Sequence, residues 1–419
     1  MEFEERSFDD ILSGLKDPPT AKRRDPRAIR LAAVTSAVLD VVGDATPSKV
    51  YARSVTALEG TLTTESTSYS GTIATQIALL ELLLWTLPFV EPKAILNATL
   101  PLTSRVLRAL VASSNEGAAA MDSSMDELGG VNALLRWVCR VAGILLQQLN
   151  PKQIDEQVVK EFFMGTLIAL FQDRRPKVRK AAHNSVVEVL TAEQRLPLIV
   201  RTTSHYVHSA LVMTLKATKK EQHEDYQELL HLFSFLERTM IYLNFSQLGA
   251  DVMELLAFWL QQSPPSTSSD FVATSKVKEN TPKILAMGAV FSLVLVVLED
   301  DSEQKRVKLD EFAPRVLASL LQAKPSLVFC AGAAEYEILQ KSQMAYGQLI
   351  IVACSRLLGS NVELARKLLP LSIQTILTLA KPSDRDPDDT IIANTLMVEL
   401  TQLLRTQIPF LLTNCSVAN

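Results

Sequence analysis

The side chains best able to do chemistry are few, and their spacing matches no common catalytic pattern. The five histidines are His183, His205, His208, His223 and His231. His205 and His208 lie one turn apart on a predicted helix, yet no carboxylate or cysteine clusters beside them in sequence, so their spacing does not define a metal site. The zinc-protease HExxH, the nucleophile elbow GxSxG, the P-loop GxxxxGK and the dinucleotide fingerprint GxGxxG are all absent. Cys139, Cys330, Cys354 and Cys415 are far apart and sit mostly in apolar surroundings, which suits buried thiols in a reducing compartment. The chain reads as a non-enzyme with no cofactor, no metal and no small-molecule substrate.

Cations are the remaining candidates. Arg174, Arg175, Lys177, Arg179 and Lys180 form the densest basic run. It could neutralise RNA phosphates or an acidic partner, or it could be a solvated face. Lys22, Arg23, Arg24 and Arg27 form a second run before a predicted helix, where a solvated linker is the simpler reading. Lys305, Arg306 and Lys308 stand in an exposed charged segment and have the pattern of a monopartite nuclear localisation signal. Tyr206, Phe258 and Trp259 could stack on single-stranded bases, but their helical spacing suits a core. The net charge of −4 and pI near 5.9 argue against a wholly electrostatic nucleic-acid binder while permitting a local basic face.

Helices must position these groups. Apolar residues make up 47% and aromatics 6%, so the core is aliphatic, and no sustained period-two alternation marks a strand. The organising stretch is Glu161–Leu190. Phe162, Phe163, Leu167, Leu170 and Phe171 recur at helical spacing, then comes the corner Gln172–Arg175. Pro176 follows where a first turn tolerates it, and Val178, Ala181, Ala182, Val186 and Val189 line the return helix. Such a hairpin cannot bury its apolar face alone and implies stacked copies. Asp173, Pro176, Val178, Arg179, Ala181 and Ala182 resemble a HEAT-repeat core. That resemblance implies that Asp173 and Arg179 pair with equivalents in neighbouring repeats.

The expected fold is all-α, a HEAT-type solenoid of stacked antiparallel helix pairs with about 40–47 residues per repeat. Residues 1–25 read as a short helix, capped by Ser7 and Asp10, and a linker. Residues 26–111 hold the first helical pairs, with Leu31, Val34, Val38 and Val41 on an inner face. Residues 112–130, small, polar and acidic, read as a flexible loop. Residues 131–261 carry the central repeats, 262–282 an exposed insertion, and 283–419 further HEAT-like helices that are expected to continue in a longer chain. The N-terminus lacks an apolar signal region, and the run Ile284–Leu298 is shorter than the roughly 20 residues a bilayer needs, so no membrane role is expected.

Three stretches in order, Leu31–Leu62, Phe171–Leu190 and the segment beginning at His205, resemble the N-terminal half of the ribosomal RNA-processing protein 12 family. The resemblance implies a nuclear assembly factor of the nucleolus and nucleoplasm, without catalytic residues. It further implies binding to pre-rRNA and to proteins of small-subunit precursors, with contacts to Ran and karyopherins during export. An importin-β-like transport receptor or adaptor, and more distantly a phosphatase-type scaffold, share the architecture and stay open.

Overall fold

The computed structural model describes residues 7–18, 25–63, 69–95, 100–120, 125–150, 152, 154–192, 196–218, 226–243, 248, 251–252, 288–295, 298, 313–314, 316–318, 320–321, 336–360, 362–379, 394–402 and 404–405. Every element among them is helical, as the lack of period-two patterning requires. The chain divides into two compact units, Met1–Thr202 and Thr203–Asn419, and the sequence shows no composition shift at that division.

The first unit opens with α1 (Phe8–Lys16). The Ser7 hydroxyl accepts from the Asp10 N–H at 3.2 Å, and the Asp10 carboxylate accepts from the Ser7 N–H at 3.3 Å. Two otherwise orphaned donors are thereby satisfied. Helix α2 (Pro26–Val42) starts on Asp25, whose carboxylate accepts from the Arg27 N–H at 3.0 Å. It stops at Gly43, whose φ of 70° lies where a side chain would crowd the backbone. Helices α3 (Pro47–Thr63), α4 (Tyr69–Thr86), α5 (Leu100–Ala120) and α6 (Met125–Gln148) follow.

Next comes α7, residues 156–170, which is not a uniform α-helix. It begins at Glu156–Val158, widens to a π turn over Val159–Phe163, returns to α at Met164–Thr166 and tightens to 3-10 at Ile168–Leu170. Helix α8 (Pro176–Thr191) completes the hairpin.

These helices make two layers. Helices α2, α4, α6 and α8 pack side by side in one, and α3, α5 and α7 in the other. Successive helices across the layers, α3 with α4, α5 with α6 and α7 with α8, form the hairpins. The pattern is that of a helical-repeat stack, in which each pair buries its apolar stripe only because neighbours cover it. Helix α4 shows this most fully. Its stretch Gly71–Phe89 is apolar and long enough to cross a bilayer, but it is enclosed by α2, α3 and α6, with Leu80, Leu82 and Leu83 wholly buried.

Two expectations change here. The segment 112–130, expected as a loop, belongs largely to helices, since α5 runs to Ala120 and α6 starts at Met125. Its composition excluded a core, but alanine, glutamate and methionine are strong helix formers, and a helix seeded by the packed residues before it can extend through them. Val41, expected on the inner face of α2, is 61% exposed, whereas Leu31, Thr35 and Val38 are buried. The stripe of Leu31, Thr35 and Val38 continues at the half-buried Val42, and Val41 falls at its edge, turned toward solvent.

The second unit holds α9 (Pro197–Thr218), which enters it at Thr203, α10 (Tyr226–Thr239), α11 (Tyr336–Ser360) and α12 (Val362–Leu379). Helix α11 organises this unit. It packs along α12, its Tyr346 hydroxyl donates to the Leu320 carbonyl at 2.5 Å, and Gly347 lets Leu396 lie against its backbone. Arg356 donates to the Leu298 carbonyl.

Candidate functional site

The basic run at 174–180 is split by the corner that carries it. Asp173 grips Arg175 three ways. Its carboxylate accepts from the Arg175 backbone N–H at 2.8 Å, from Nε at 2.8 Å and from Nη2 at 2.6 Å. The Asp173 and Arg175 side chains are only 6% and 15% exposed. Arg179, 7% exposed, donates from Nη1 to the Asp173 carbonyl at 2.8 Å. Burial pulls the Asp173 carboxyl upward in pKa, but the side-chain and backbone bonds from Arg175, with the charges of Arg175 and Arg179, outweigh it and hold the group below its ordinary value. His183, on the next turn of α8, packs on the Phe171 ring at 4.3 Å, and its Nε2 lies 3.2 Å from the Phe171 carbonyl.

This geometry bears on two of the expectations. Arg175 is withdrawn from the cationic face, because the two-residue separation lets its fork turn back onto Asp173. The bonds of Asp173 and Arg179 close their own corner; a ladder to neighbouring repeats is not among the bonds of the described residues. A carboxylate one residue from a tight turn reaches the turn's own donors more readily than those of another repeat.

Arg174, Lys177 and Lys180 point outward and are exposed, and none has a carboxylate partner among the described residues. They are joined by groups that sequence spacing did not mark. On α6, Arg136 and Arg140 are also exposed. A Cβ placed on Gly143 of α6 would lie 3.0 Å from the Ser185 Cβ of α8, so the two backbones are nearly in contact there. Separated by the reversed α7, α6 and α8 run the same way. Arg136 and Arg140 precede Gly143 by nearly as many residues as Lys177 and Lys180 precede Ser185, which sets the two cation pairs at matching heights. Both helices are backed by the other layer, so these side chains open on one side. Two guanidinium groups approach the Trp137 ring, with Arg27 5.0 Å and Arg140 5.4 Å from the ring centre. Arg27 is further held by Glu81 at 2.9 Å. The signal that could have found this face was the i, i+4 spacing of Arg136 and Arg140, but only packing places it beside α8.

The family model described as RRP12-like, N-terminal HEAT repeats matches residues 24–267, more than half of the chain. The chain belongs to the RRP12-like family. Its match covers the whole of the α2–α8 stack and therefore both the corner at Asp173 and the exposed cations of α6 and α8. No curated protein and no solved structure matches the chain.

The remaining candidates fall elsewhere. Lys305, Arg306 and Lys308 lie outside the described residues, as do Lys22, Arg23, Arg24, Phe258, Trp259 and the expected insertion at 262–282. In the second unit His208 does find a carboxylate, its Nδ1 lying 2.6 Å from Asp251, a partner far away in sequence. Among the described residues no group of histidine, cysteine and carboxylate side chains is arranged to hold a metal ion. Cys139 is buried, and burial, with Asp173 adding negative charge, pushes its thiol up to about 12. Burial raises the Cys354 thiol to about 11, against a lowering hydrogen bond with Ser372.

Proposed function

We propose that this RRP12-like chain is a non-enzymatic scaffold in ribosome biogenesis, holding pre-rRNA and assembly or export factors on small-subunit precursors. The observation that carries the reading is the family match over residues 24–267, which spans the helical stack. The chemistry supports it in kind. Stacked helix pairs offer a broad surface, and Arg174, Lys177 and Lys180 offer exposed positive charge to a phosphate backbone. Work of this sort needs extended contact and no converging ionisable groups. Residence in the nucleolus and nucleoplasm, entry through the signal at Lys305, Arg306 and Lys308, and contacts with Ran and karyopherins belong to the same proposal.

Crosslinking in cells followed by sequencing of the bound RNA tests it, alongside sedimentation of the chain with precursor particles. Precursor rRNA and small-subunit assembly factors are expected in the same fractions, whatever the nucleotide state of Ran. Tight binding of Ran–GTP coupled to release of a protein cargo, with no rRNA above background, would instead select an importin-β-like receptor.

A further inference from the structure

We infer that the outer faces of α6 and α8 together form a track for the sugar–phosphate backbone of single-stranded RNA, built from Arg136, Arg140, Arg174, Lys177 and Lys180. The inference rests on the scaffold reading and names the surface and the ligand chemistry through which it would act.

Three observations meet here. The five cations are exposed on adjoining elements, and none has a carboxylate within ion-pair distance among the described residues. Elsewhere in the same unit some exposed cations have carboxylates, Arg27 with Glu81, Lys49 with Asp44, Arg105 with Glu59 and Arg201 with Glu156, and others such as Lys93 and Lys152 stand singly; this face is set apart by five together on adjoining elements. Concentrating unpaired charge on one face of an acidic chain costs self-repulsion, which an anionic ligand relieves.

The second observation is register. The near-contact of Gly143 with Ser185 sets the arginine pair of α6 level with the lysine pair of α8. The spacing along each helix is about 5–6 Å, and the helix axes are about 8–10 Å apart. Two parallel rows of charge on that scale follow a flexible chain of phosphates better than a single point anion. Glu188, exposed further along α8, marks the end of the track.

The third is the treatment of Arg140. Its guanidinium is seated over the Trp137 ring, whose other neighbour, Arg27, is itself fixed by Glu81. An arginine resting over an aromatic ring loses less freedom on accepting a phosphate, and its planar fork suits two phosphate oxygens at once. Trp137 is thus a positioning residue for Arg140. Helix dipoles add to the sign of the field, since Arg174 and Lys177 stand at the start of α8.

The test uses the full chain and a fluorescein-labelled oligouridine, with affinity read by anisotropy across a salt series. Neutralising Arg136 and Arg140 together (R136Q/R140Q) is expected to reduce the slope of log affinity against log salt by about 1.4, as is K177Q/K180Q. All four substitutions are at exposed positions, so circular dichroism should show an unchanged fold. W137L should weaken binding in the wild-type background and have no further effect in R140Q. A slope unchanged in both double variants overturns the track, and additive losses from W137L and R140Q overturn the positioning role. Preferential binding of a polyglutamate peptide of matched charge, lost in the same variants, overturns RNA in favour of an acidic protein. Because sedimentation with precursor particles is read separately, a failed track and a failed scaffold give different results.

Discussion

Asp173 and Arg175 form a two-point carboxylate–guanidinium pair, 2.6 and 2.8 Å long, inside the corner between α7 and α8. The pair is nearly shielded from water, and Arg179 is tied to the backbone of the same aspartate. Removing the carboxylate takes both short bonds from the poorly solvated Arg175 guanidinium and the nearby negative charge from Arg179, whose bond to the backbone carbonyl remains. Asp173→Ala should therefore cost on the order of 3 kcal/mol, and Asp173→Asn somewhat less, because the amide oxygen still accepts from the turn. Urea denaturation of the purified chain checks this; an Asp173→Ala variant as stable as wild type would show the corner to be dispensable.

The same pair sets an acid limit. The folded Asp173 carboxyl lies below its ordinary value of 3.8, so its ionised form is favoured by folding. Its contribution is fully present above the unfolded value and disappears as pH falls below about 4 and through the folded value. Stability measured between about pH 6 and pH 2 should fall more steeply in wild type than in Asp173→Asn, which lacks this titration.

Neighbouring cations should separate by role. Arg175→Gln is expected to lower stability while leaving the salt dependence of RNA binding unchanged. Arg174→Gln should do the reverse, reducing the slope by about 0.7 with little effect on the denaturation midpoint. The comparison needs only the two single variants and the two assays. Equal effects on binding would mean that Arg175 leaves Asp173 to reach the ligand.

Glycines predict opposite signs at two sites. At Gly143 an added Cβ meets the Ser185 Cβ at 3.0 Å, so Gly143→Val should force α6 from α8 and cost about 1–3 kcal/mol. At Gly60, inside α3, nothing lies within 4 Å of such a Cβ. Gly60→Ala should stabilise by roughly 0.5–1 kcal/mol through helix propensity. Thermal unfolding of both variants gives the answer.

Thiol chemistry reports the packing of both units. Cys139 and Cys354 are buried, and burial pushes their thiols up to about 12 and about 11. Neither should be alkylated by iodoacetamide at about pH 8 in the folded chain, because the thiolate is the nucleophile. Both should react once urea unfolds it. Rapid labelling of Cys139 without denaturant would contradict the burial of α6.

Much of this was legible from residue order. Caps at Ser7 and Asp25, the stop at Gly43 and the start at Pro176 are local signals that need no tertiary partner, so helix limits near them follow from sequence. The stripe Phe162, Phe163, Leu167, Leu170 and Phe171 is buried as its spacing demands, since a helix with one apolar face must cover it. The stacking of hairpins follows from the same requirement repeated along the chain.

Other features depended on which surfaces meet. Five cations in one run look equivalent in sequence, but two of them turn inward at Asp173 because a tight corner brings donors and acceptor together. Arg136, Trp137 and Arg140 carry no motif, and they join the lysines of α8 only because Gly143 admits Ser185. His208 lacks a nearby carboxylate in sequence and gains Asp251 through packing. Local order of residues determined which helices form and which face each one buries, because caps and periodicity act within a few turns. Which exposed charges stand together, and which are silenced by a partner, was decided by helix register, since side chains distant along the chain interact only where packing brings them within reach.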